Sequence, residues 1–365
     1  MESVGLPRGW YAGVAVTAAL VLVAVLLLLP PPHRTRSAAP PGLPTLQSVW
    51  PAARPFPIPA VLDDGSRYHP KRILDPATSL GTADSADGRQ VSLVLVSAGR
   101  SRVLQSEPVD RAGLFQGLLG AGDRLFWMLT ATDAAGRPTV GLWSAARSGA
   151  APALLTADVG LPLMLGSSYD LQLVAARLYW VATPAAADRT ELRSVAVAGG
   201  PVSVETIAGR WAISAWPWLV SAPSTTGAPV RLYNVATRAT VAVRAPAHEP
   251  LACSPVWCRI LPADSVSGAL RLVRPDGSDL HPVGPAGALP VGADVAVGDR
   301  FTAMQVPPNG SGLGARLVLH DIPARRDVLV APVATNAYAN ASYLWWSTGD
   351  NETLAWYGLE LHTLK

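Results

Sequence analysis

The chain has 365 residues, of which 49% are hydrophobic and 15% are charged, and it contains 32 glycines and 34 prolines. This much helix-breaking material excludes a helical bundle or a coiled coil, and the hydrophobic share excludes a wholly disordered chain. The length allows two domains of average size or one large all-β ring.

The excess of positive charge is concentrated before residue 40. The formal net charge is +3, but residues 1–39 contain three arginines and one glutamate, so 26 basic and 25 acidic residues remain in the rest of the chain. No run of Lys or Arg forms a basic stripe that could contact phosphates. The sequence therefore predicts no binding of nucleic acid.

Residues 10–29 form an uncharged stretch, WYAGVAVTAALVLVAVLLLL. A helix of this length spans about 30 Å, the thickness of a bilayer core. Because the apolar run is longer than the hydrophobic region of a cleavable signal, we predict a transmembrane anchor at 10–29 after a short cytoplasmic N-terminus at 1–9. The alternatives are a signal peptide cleaved near Ser37-Ala38-Ala39, which would release a secreted protein, and a buried helix of a soluble domain.

The charges beside this span and the cysteines give opposite indications of orientation. One arginine precedes the span and two follow it, at Arg34 and Arg36, which favours a cytoplasmic C-terminal part. Long domains, however, cross a membrane largely regardless of such charges. The only cysteines, Cys253 and Cys258, lie close together in CSPVWC, and we predict that they form a structural disulfide, which persists in oxidising compartments. We therefore predict a single-pass protein of the cell membrane with an extracellular C-terminal domain.

Residues 30–59 contain ten prolines and are predicted to form an extended linker. Such a segment cannot form a helix or a central strand, and it tends toward polyproline II. It would hold the following domain, residues 60–365, away from the membrane surface. A proline-rich ligand for a partner domain is the alternative.

From residue 60 onward, short apolar runs alternate with clusters of Gly, Pro, Asp and Ser, which indicates strands and turns. An aromatic-rich strand recurs at intervals of 38 to 53 residues, with Trp127, Trp180, Trp218, Trp257, Phe301 and Trp345 as its marker positions. The non-aromatic strand from Val91 to Val96 is taken as the first member. A second strand follows five of the markers after 12 to 16 residues, at Leu142, Leu192, Leu232, Leu272 and Leu317.

A unit of about 42 residues with three or four antiparallel strands is typical of a β-propeller blade. Seven such strands predict an all-β, seven-bladed β-propeller over residues 60–365, with six or eight blades as alternatives. The last unit shows only two strands in the sequence. We predict that a segment near Ala60 to Leu74 supplies its outer strand and closes the ring.

Short motifs in these repeats are similar to those of known propellers. Ser85-Ala86-Asp87-Gly88-Arg89 resembles the turn of TolB-like repeats, with Ala86 where proline is usual, and Arg274-Pro275-Asp276-Gly277 is a turn of the same kind. Leu178-Tyr179-Trp180, with the later Ala198-Gly199-Gly200-Pro201, resembles YWTD-like repeats. The chain thus resembles a divergent, membrane-anchored TolB-like propeller of actinobacterial type. The resemblance implies the fold and no particular function.

No pattern of reactive residues predicts catalysis, a metal site or a cofactor. The six histidines fall in different units without the spacing of metal ligands, and there is no GxSxG motif. We expect each histidine to be a surface or hairpin residue. Acidic residues beside glycine, such as Asp64, Asp87, Asp276 and Asp350, are expected to shape tight turns, with Ca²⁺ binding or acid–base chemistry as the alternative.

Two groups of tryptophans are candidate contacts for a partner. Trp211, Trp216 and Trp218 are crowded together, and strand alternation places either Trp345 or Trp346 outward. We predict a non-enzymatic binding or scaffold module of the cell envelope with a protein or glycan partner. The alternative is an envelope enzyme, such as a glycan-active lyase or hydrolase, with its active site in the propeller channel.

Overall fold

The computed structural model of the chain describes residues 42–365, apart from residues 112, 150, 185–187, 222–228, 245–248, 263–267, 309–313 and 351. The predicted anchor at 10–29 and the first part of the predicted linker lie outside the described residues. Among the residues that are described, no helix has the length and apolar character that a membrane span requires.

Residues 44–365 form seven antiparallel sheets of four strands each, which are the blades of a β-propeller. In blades 1 to 6 the strands pair in chain order. Blade 1 consists of β2 (Tyr68–Asp75), β3 (Thr78–Asp84), β4 (Gln90–Ser97) and β5 (Arg100–Pro108). Blade 2 consists of β6 (Leu114–Ala121), β7 (Arg124–Thr132), β8 (Pro138–Ala146) and β9 (Ala153–Thr156). Blade 3 consists of β10 (Gln172–Val174), β11 (Arg177–Ala182), β12 (Arg189–Ala196) and β13 (Ser203–Ala208). Blade 4 consists of β14 (Trp211–Ile213), β15 (Trp218–Ser221), β16 (Arg231–Asn234) and β17 (Thr240–Ala242). Blade 5 consists of β18 (Leu251–Cys253), β19 (Cys258–Ile260), β20 (Leu270–Val273) and β21 (His281–Val283). Blade 6 consists of β22 (Leu289–Pro290), β23 (Phe301–Val306), β24 (Ala315–Asp321) and β25 (Arg326–Ala334).

Blade 7 joins the two ends of the described chain. Its strands are β26 (Ala337–Ala339), β27 (Tyr343–Thr348), β28 (Ala355–Glu360) and, as the outermost strand, β1 (Phe56–Ile58). Closure by an N-terminal strand is therefore confirmed, but the predicted segment is wrong, because residues 60–74 contain β2, the first strand of blade 1. The prolines around β1 concealed it, since proline is tolerated only in an edge strand, where its missing N–H is not needed.

The second half of the predicted linker is part of the propeller. The short helix α1 (Leu46–Val49) begins at Thr45, whose side chain accepts a hydrogen bond from the Ser48 N–H. Leu46 and Trp50 are buried in the core between blades 6 and 7. There the Trp50 and Phe301 rings pack edge to face, with their centroids 5.9 Å apart. The predicted boundary at residue 60 is thus too late, because these apolar side chains draw the proline-rich segment onto the sheets.

The aromatic markers occupy the second strand of their blades, with Trp257 just before β19. The five leucines that follow them lie in third strands and are all buried. Blade 1 departs from the pattern: Val91–Val96 lies in β4, the third strand, and its second strand has Gly81 instead of an aromatic residue. A Cβ on Gly81 would lie 2.7 Å from the ring of Tyr68, so this tyrosine from β2 occupies the adjacent space.

Trp345 and Trp346 are both buried, so the prediction that one of them faces outward is wrong. Trp345 packs in the cluster shared with blade 1, and Trp346 packs in the cluster shared with blade 6. Each blade of a propeller is covered by a neighbouring blade on both faces. Because consecutive side chains of a strand point to opposite faces of the sheet, Trp345 and Trp346 pack in two different cores.

Candidate functional site

A cavity of about 200 Å³ lies at the central channel, against the first strands of blades 7, 1 and 2 and the segment before β10. This channel cavity contains more polar side chains than the cores between the blades. Its polar lining residues are Lys71, Arg72, Gln116, Ser167, Ser168, Asp170 and Asn340. Concave sites with a few converging polar groups are the usual places for ligands, so this cavity is the candidate binding site.

A β-bulge directs two positive charges toward the cavity. The pairing of β2 with β3 shifts between Pro70 and Arg72, which leaves Lys71 as an extra residue. A bulge of this kind changes the direction of the side chains beside it, so consecutive residues can reach the same side of the strand. Both Lys71 and Arg72 line the cavity, and neither forms a hydrogen bond or ion pair through its charged group with the part of the chain that the structure describes.

Arg72 is the less solvated of the two cations. Burial lowers the pKa of its guanidinium, and the nearby Asp294 carboxylate partly offsets this effect. A cation removed from water without a hydrogen-bonded partner is costly in free energy. Arg72 is therefore the group in this cavity that would gain most from an anionic ligand.

Residues 164–171 form one wall of the cavity as an insertion in the inner edge of blade 3. Leu163 and Gln172, on either side of the insertion, both pair with β11. At the tip, the hydroxyls of Ser167 and Ser168 donate to the two carboxylate oxygens of Asp294, at 2.6 and 2.5 Å. Because Asp294 lies between β22 and β23, this contact joins blade 3 to blade 6 across the channel, and we call it the channel clasp.

Asp294 also meets a buried arginine from blade 5. Arg259 donates from Nη1 to the main-chain oxygen of Asp294 at 2.8 Å. Burial lowers the pKa of Arg259 to about 10, and the Asp294 carboxylate acts in the opposite direction. The Asp294 carboxylate thus attracts the half-buried Arg72 and the buried Arg259, and it accepts hydrogen bonds from two serine hydroxyls of the insertion.

Asp170 holds the insertion in shape. Its Oδ2 atom accepts hydrogen bonds from the main-chain N–H groups of Leu165, Gly166 and Ser167, at 2.8, 2.8 and 3.1 Å. Burial raises the pKa of Asp170 to about 7, although these three donors favour the charged form. A carboxyl that changes its charge near neutral pH therefore lies in the wall of the cavity.

The raised pKa of Asp170 predicts a pH-dependent stability. In the unfolded chain this group ionises near its ordinary pKa of 3.8, whereas in the folded chain it keeps its proton up to about pH 7. The folded state binds more protons between these values, so its stability falls as pH rises from about 4 to 7, by at most about 1.4 kcal/mol per pH unit. Denaturant unfolding at several pH values should show that Asp170→Asn removes this slope and that Asp110→Asn, at an exposed position, does not. An equal slope in wild type and Asp170→Asn would contradict the assignment.

His281 and His320 are buried side by side, with ring centroids 6.2 Å apart, so the prediction that every histidine is a surface or hairpin residue is wrong for these two. The Nδ1 atom of His320 lies 2.7 Å from the Asp327 carboxylate, and that of His281 lies 2.7 Å from the Asp279 main-chain oxygen. They come from adjacent blades, which sequence spacing does not reveal. Within the described residues, no group of three metal-binding side chains is present.

The predicted turn residues and cysteines lie where the sequence places them. Asp64, Asp87, Asp276 and Asp350 each accept hydrogen bonds from main-chain N–H groups of their own turn. Cys253 and Cys258 are register partners at the ends of β18 and β19, and they are joined by a disulfide.

Removing this disulfide should lower stability modestly. The bond closes a loop of only a few residues, so it restricts the unfolded chain by about 2 kcal/mol in the chain-entropy description. Replacing both Cys253 and Cys258 with serine should therefore lower the denaturation midpoint while the circular dichroism of the sheets is retained. A complete loss of folding would show that the bond does more than restrict the unfolded chain.

No protein-family model and no curated protein matches the chain. Similar solved structures include a puromycin-hydrolyzing peptidase of Mycobacterium tuberculosis, with 16% identity over 89% of this chain and 54% of that one at a TM-score of 0.48. They also include TolB from Acinetobacter baumannii, with 12% identity over 78% of this chain and 79% of that one at a TM-score of 0.38. A third is the β-propeller domain of the Trilobed protease from Pyrococcus furiosus, with 7% identity over 67% of this chain and 82% of that one at a TM-score of 0.44. The chain spans about half the length of the peptidase. Its own fold is that of a seven-bladed β-propeller.

Proposed function

We propose that this chain is a membrane-anchored, extracytoplasmic propeller that acts as a non-enzymatic binding or scaffold module of the cell envelope. In this proposal a protein or glycan partner inserts a group into the channel cavity. The observation that supports it most is Arg72, whose guanidinium lines the cavity without a hydrogen-bonded partner among the described residues. An unpaired cation at the wall of a cavity favours binding of a negatively charged group, because the ligand supplies the missing hydrogen-bond acceptors.

The surrounding fold supports a preorganised site. Lys71 and Arg72 lie in β2 and Gln116 lies in β6, so strands, although bulged at these positions, and not long loops carry three of the polar side chains. Sites carried by strands keep their geometry better than sites on loops. The channel clasp fixes the opposite wall through the Asp294 carboxylate.

An envelope enzyme is the second candidate, and Asp170 is the observation that favours it. A carboxyl whose pKa is raised to about 7 in a cavity has the character of a general acid. Its Oδ2 atom, however, already accepts three main-chain N–H groups within its own loop. This arrangement suits a structural role, so we favour the binding function.

The proposed function is tested with the full-length protein in detergent, used to retain partners from envelope extracts. We expect Arg72→Gln to lose a partner that the wild type retains. The control is Arg100→Gln, since Arg100 is exposed and lies outside the cavity. Retention of the same partners by Arg72→Gln, together with turnover of a glycan panel that Asp170→Asn abolishes, would favour the enzyme instead.

The proposed location has its own test. A protease added to intact cells should degrade the propeller if it lies outside the membrane, and the mass of the mature N-terminus distinguishes an anchor from a cleaved signal. Full protection of the propeller in intact cells, with degradation after lysis, would reverse the orientation.

A further inference from the structure

The hydrogen-bond donors of the channel cavity indicate the chemistry of its ligand. An arginine guanidinium presents five N–H donors in a planar fork that matches the two oxygens of a carboxylate. None of these donors on Arg72 is used by the described residues. The carboxamide of Gln116, which also lines the cavity, makes no hydrogen bond with them either. The hydrogen-bonding groups of the cavity that remain unused are therefore mostly N–H donors, and they suit a ligand with negatively charged oxygen atoms.

The charges around the cavity indicate how negative this anion should be. Lys71 and Arg72 bring two positive charges, and the Asp294 carboxylate is the nearby negative charge that acts on Arg72. Asp170 adds a negative charge only in the fraction of molecules that have lost its proton. Because Arg259 also interacts with the Asp294 carboxylate, between one and two positive charges remain to be balanced. A carboxylate balances one of them, and a phosphate group, with its charge of about −1.5 to −2, is the competing anion.

The size of the cavity limits how much of a partner can enter. A volume of about 200 Å³ accommodates one small group and not a folded domain. The rest of the partner would remain outside the ring. A chain terminus of a protein or a uronic acid of a glycan offers a single carboxylate of this size.

We propose that the channel cavity binds a carboxylate group of the partner, with Arg72 as the bidentate donor and Lys71 as a second positive charge. This inference rests on the proposed function, since it names the group that the binding module recognises. Gln116 donates its amide N–H to the same group or to the atoms beside it.

Calorimetric titration of the full-length protein in detergent tests this with matched acid and neutral probes. The pairs are D-glucuronate with D-glucose and N-acetyl-trialanine with its C-terminal amide, and inorganic phosphate is a further probe. We expect at least one acid to bind while its neutral counterpart does not, and we expect the affinity to fall as salt is added. Arg72→Gln should weaken binding about thirtyfold or more, Arg72→Lys should weaken it less, and Arg100→Gln should leave it unchanged.

The thermal midpoint of Arg72→Gln without ligand serves as the folding control. The variant removes a cation that has no hydrogen-bonded partner among the described residues but is attracted by the Asp294 carboxylate, so its midpoint should stay close to that of the wild type. A lower midpoint would contradict the view that this guanidinium is unsatisfied in the free protein.

Three results would overturn the inference. They are binding of phosphate without binding of either acid, equal binding of acid and neutral probes, and acid binding that Arg72→Gln leaves intact. If no probe binds while Arg72→Gln still loses the partner from envelope extracts, the proposal that the recognised group is a carboxylate is wrong, and the proposed binding function stands. If Arg72→Gln keeps that partner as well, both fail.

Discussion

A chain that begins at residue 60 is expected to unfold far more easily than one that begins at residue 44. The missing segment carries α1 and β1, and its Leu46, Trp50 and Ile58 side chains are 0%, 4% and 7% exposed. Burial of three large apolar side chains contributes roughly 5 to 9 kcal/mol. This is comparable to the whole unfolding free energy of a typical domain, about 5–15 kcal/mol. Denaturant unfolding of the two truncated chains measures the difference.

A point substitution separates the closing strand from the rest of this segment. A Cβ on Gly358 would lie within van der Waals overlap of the Phe56 ring, at 2.4 Å, so Gly358→Ala should displace β1 from β28. Overpacking of this kind costs about 1–3 kcal/mol. Gly42→Ala is the matched control in a chain that begins at residue 42, because a Cβ there meets nothing within 4 Å.

Equal denaturation midpoints for the chains that begin at residues 44 and 60 would contradict closure of the ring by β1.

Loss of the Asp294 carboxylate is the second change with a large expected effect. The Asp294 carboxylate attracts the half-buried Arg72 and the buried Arg259, and Asp294→Asn removes this attraction from both. Among the described residues no ion pair within 4 Å joins the Asp294 carboxylate to either arginine, so the attraction lost is that of separated charges, about 1–2 kcal/mol for each arginine. We therefore expect Asp294→Asn to lower the unfolding free energy by about 2–4 kcal/mol in denaturant titrations.

The double variant Ser167→Ala/Ser168→Ala is the comparison for Asp294→Asn. It removes the hydroxyl donors of the channel clasp but keeps the Asp294 charge, so its loss should be only about 1 kcal/mol for each hydrogen bond. Stability of Asp294→Asn equal to that of the wild type would show that the charges of Arg72 and Arg259 are balanced by other means.

The blade repeat was predictable because it depends on local patterns. Leu142 and Leu317 stand at nearly constant distances after Trp127 and Phe301, since each blade repeats the same strand, turn and strand. The turn at Asp87 follows from the tolerance of Asp and Gly for left-handed backbone. These features require only a few neighbouring residues, so the blade number could be inferred without the structure.

The closure of the ring was less predictable, because the segment that supplies the closing strand has a proline-rich composition that argues against a strand. β1 contains Pro57, and proline usually argues against a strand. Its pairing with Tyr357 depends on residues 300 positions away in the chain. The buried Leu46 and Trp50 were the available signal, since apolar residues are unusual in an exposed linker.

The residues of the channel cavity were not predicted from the sequence, although the channel was the predicted site of the alternative enzyme. Arg72, Asp170 and Asp294 come from three blades, and β-bulges or insertions place them outside the regular alternation. One signal was present: Lys71 and Arg72 are consecutive cations within the strand from Tyr68 to Asp75. Two adjacent charges in a strand that must line a channel are unusual enough to suggest a binding site.

Photo-crosslinking in living cells tests most directly whether a partner occupies the channel. A benzoyl-phenylalanine residue at Leu118, in the wall of the cavity, is compared with the same residue at Val204, which is 46% exposed on β13. The proposed function predicts a crosslinked partner at Leu118 that disappears with Arg72→Gln and is absent at Val204. A partner captured at Val204 and not at Leu118 would place binding on the outside of the ring and contradict the proposed function.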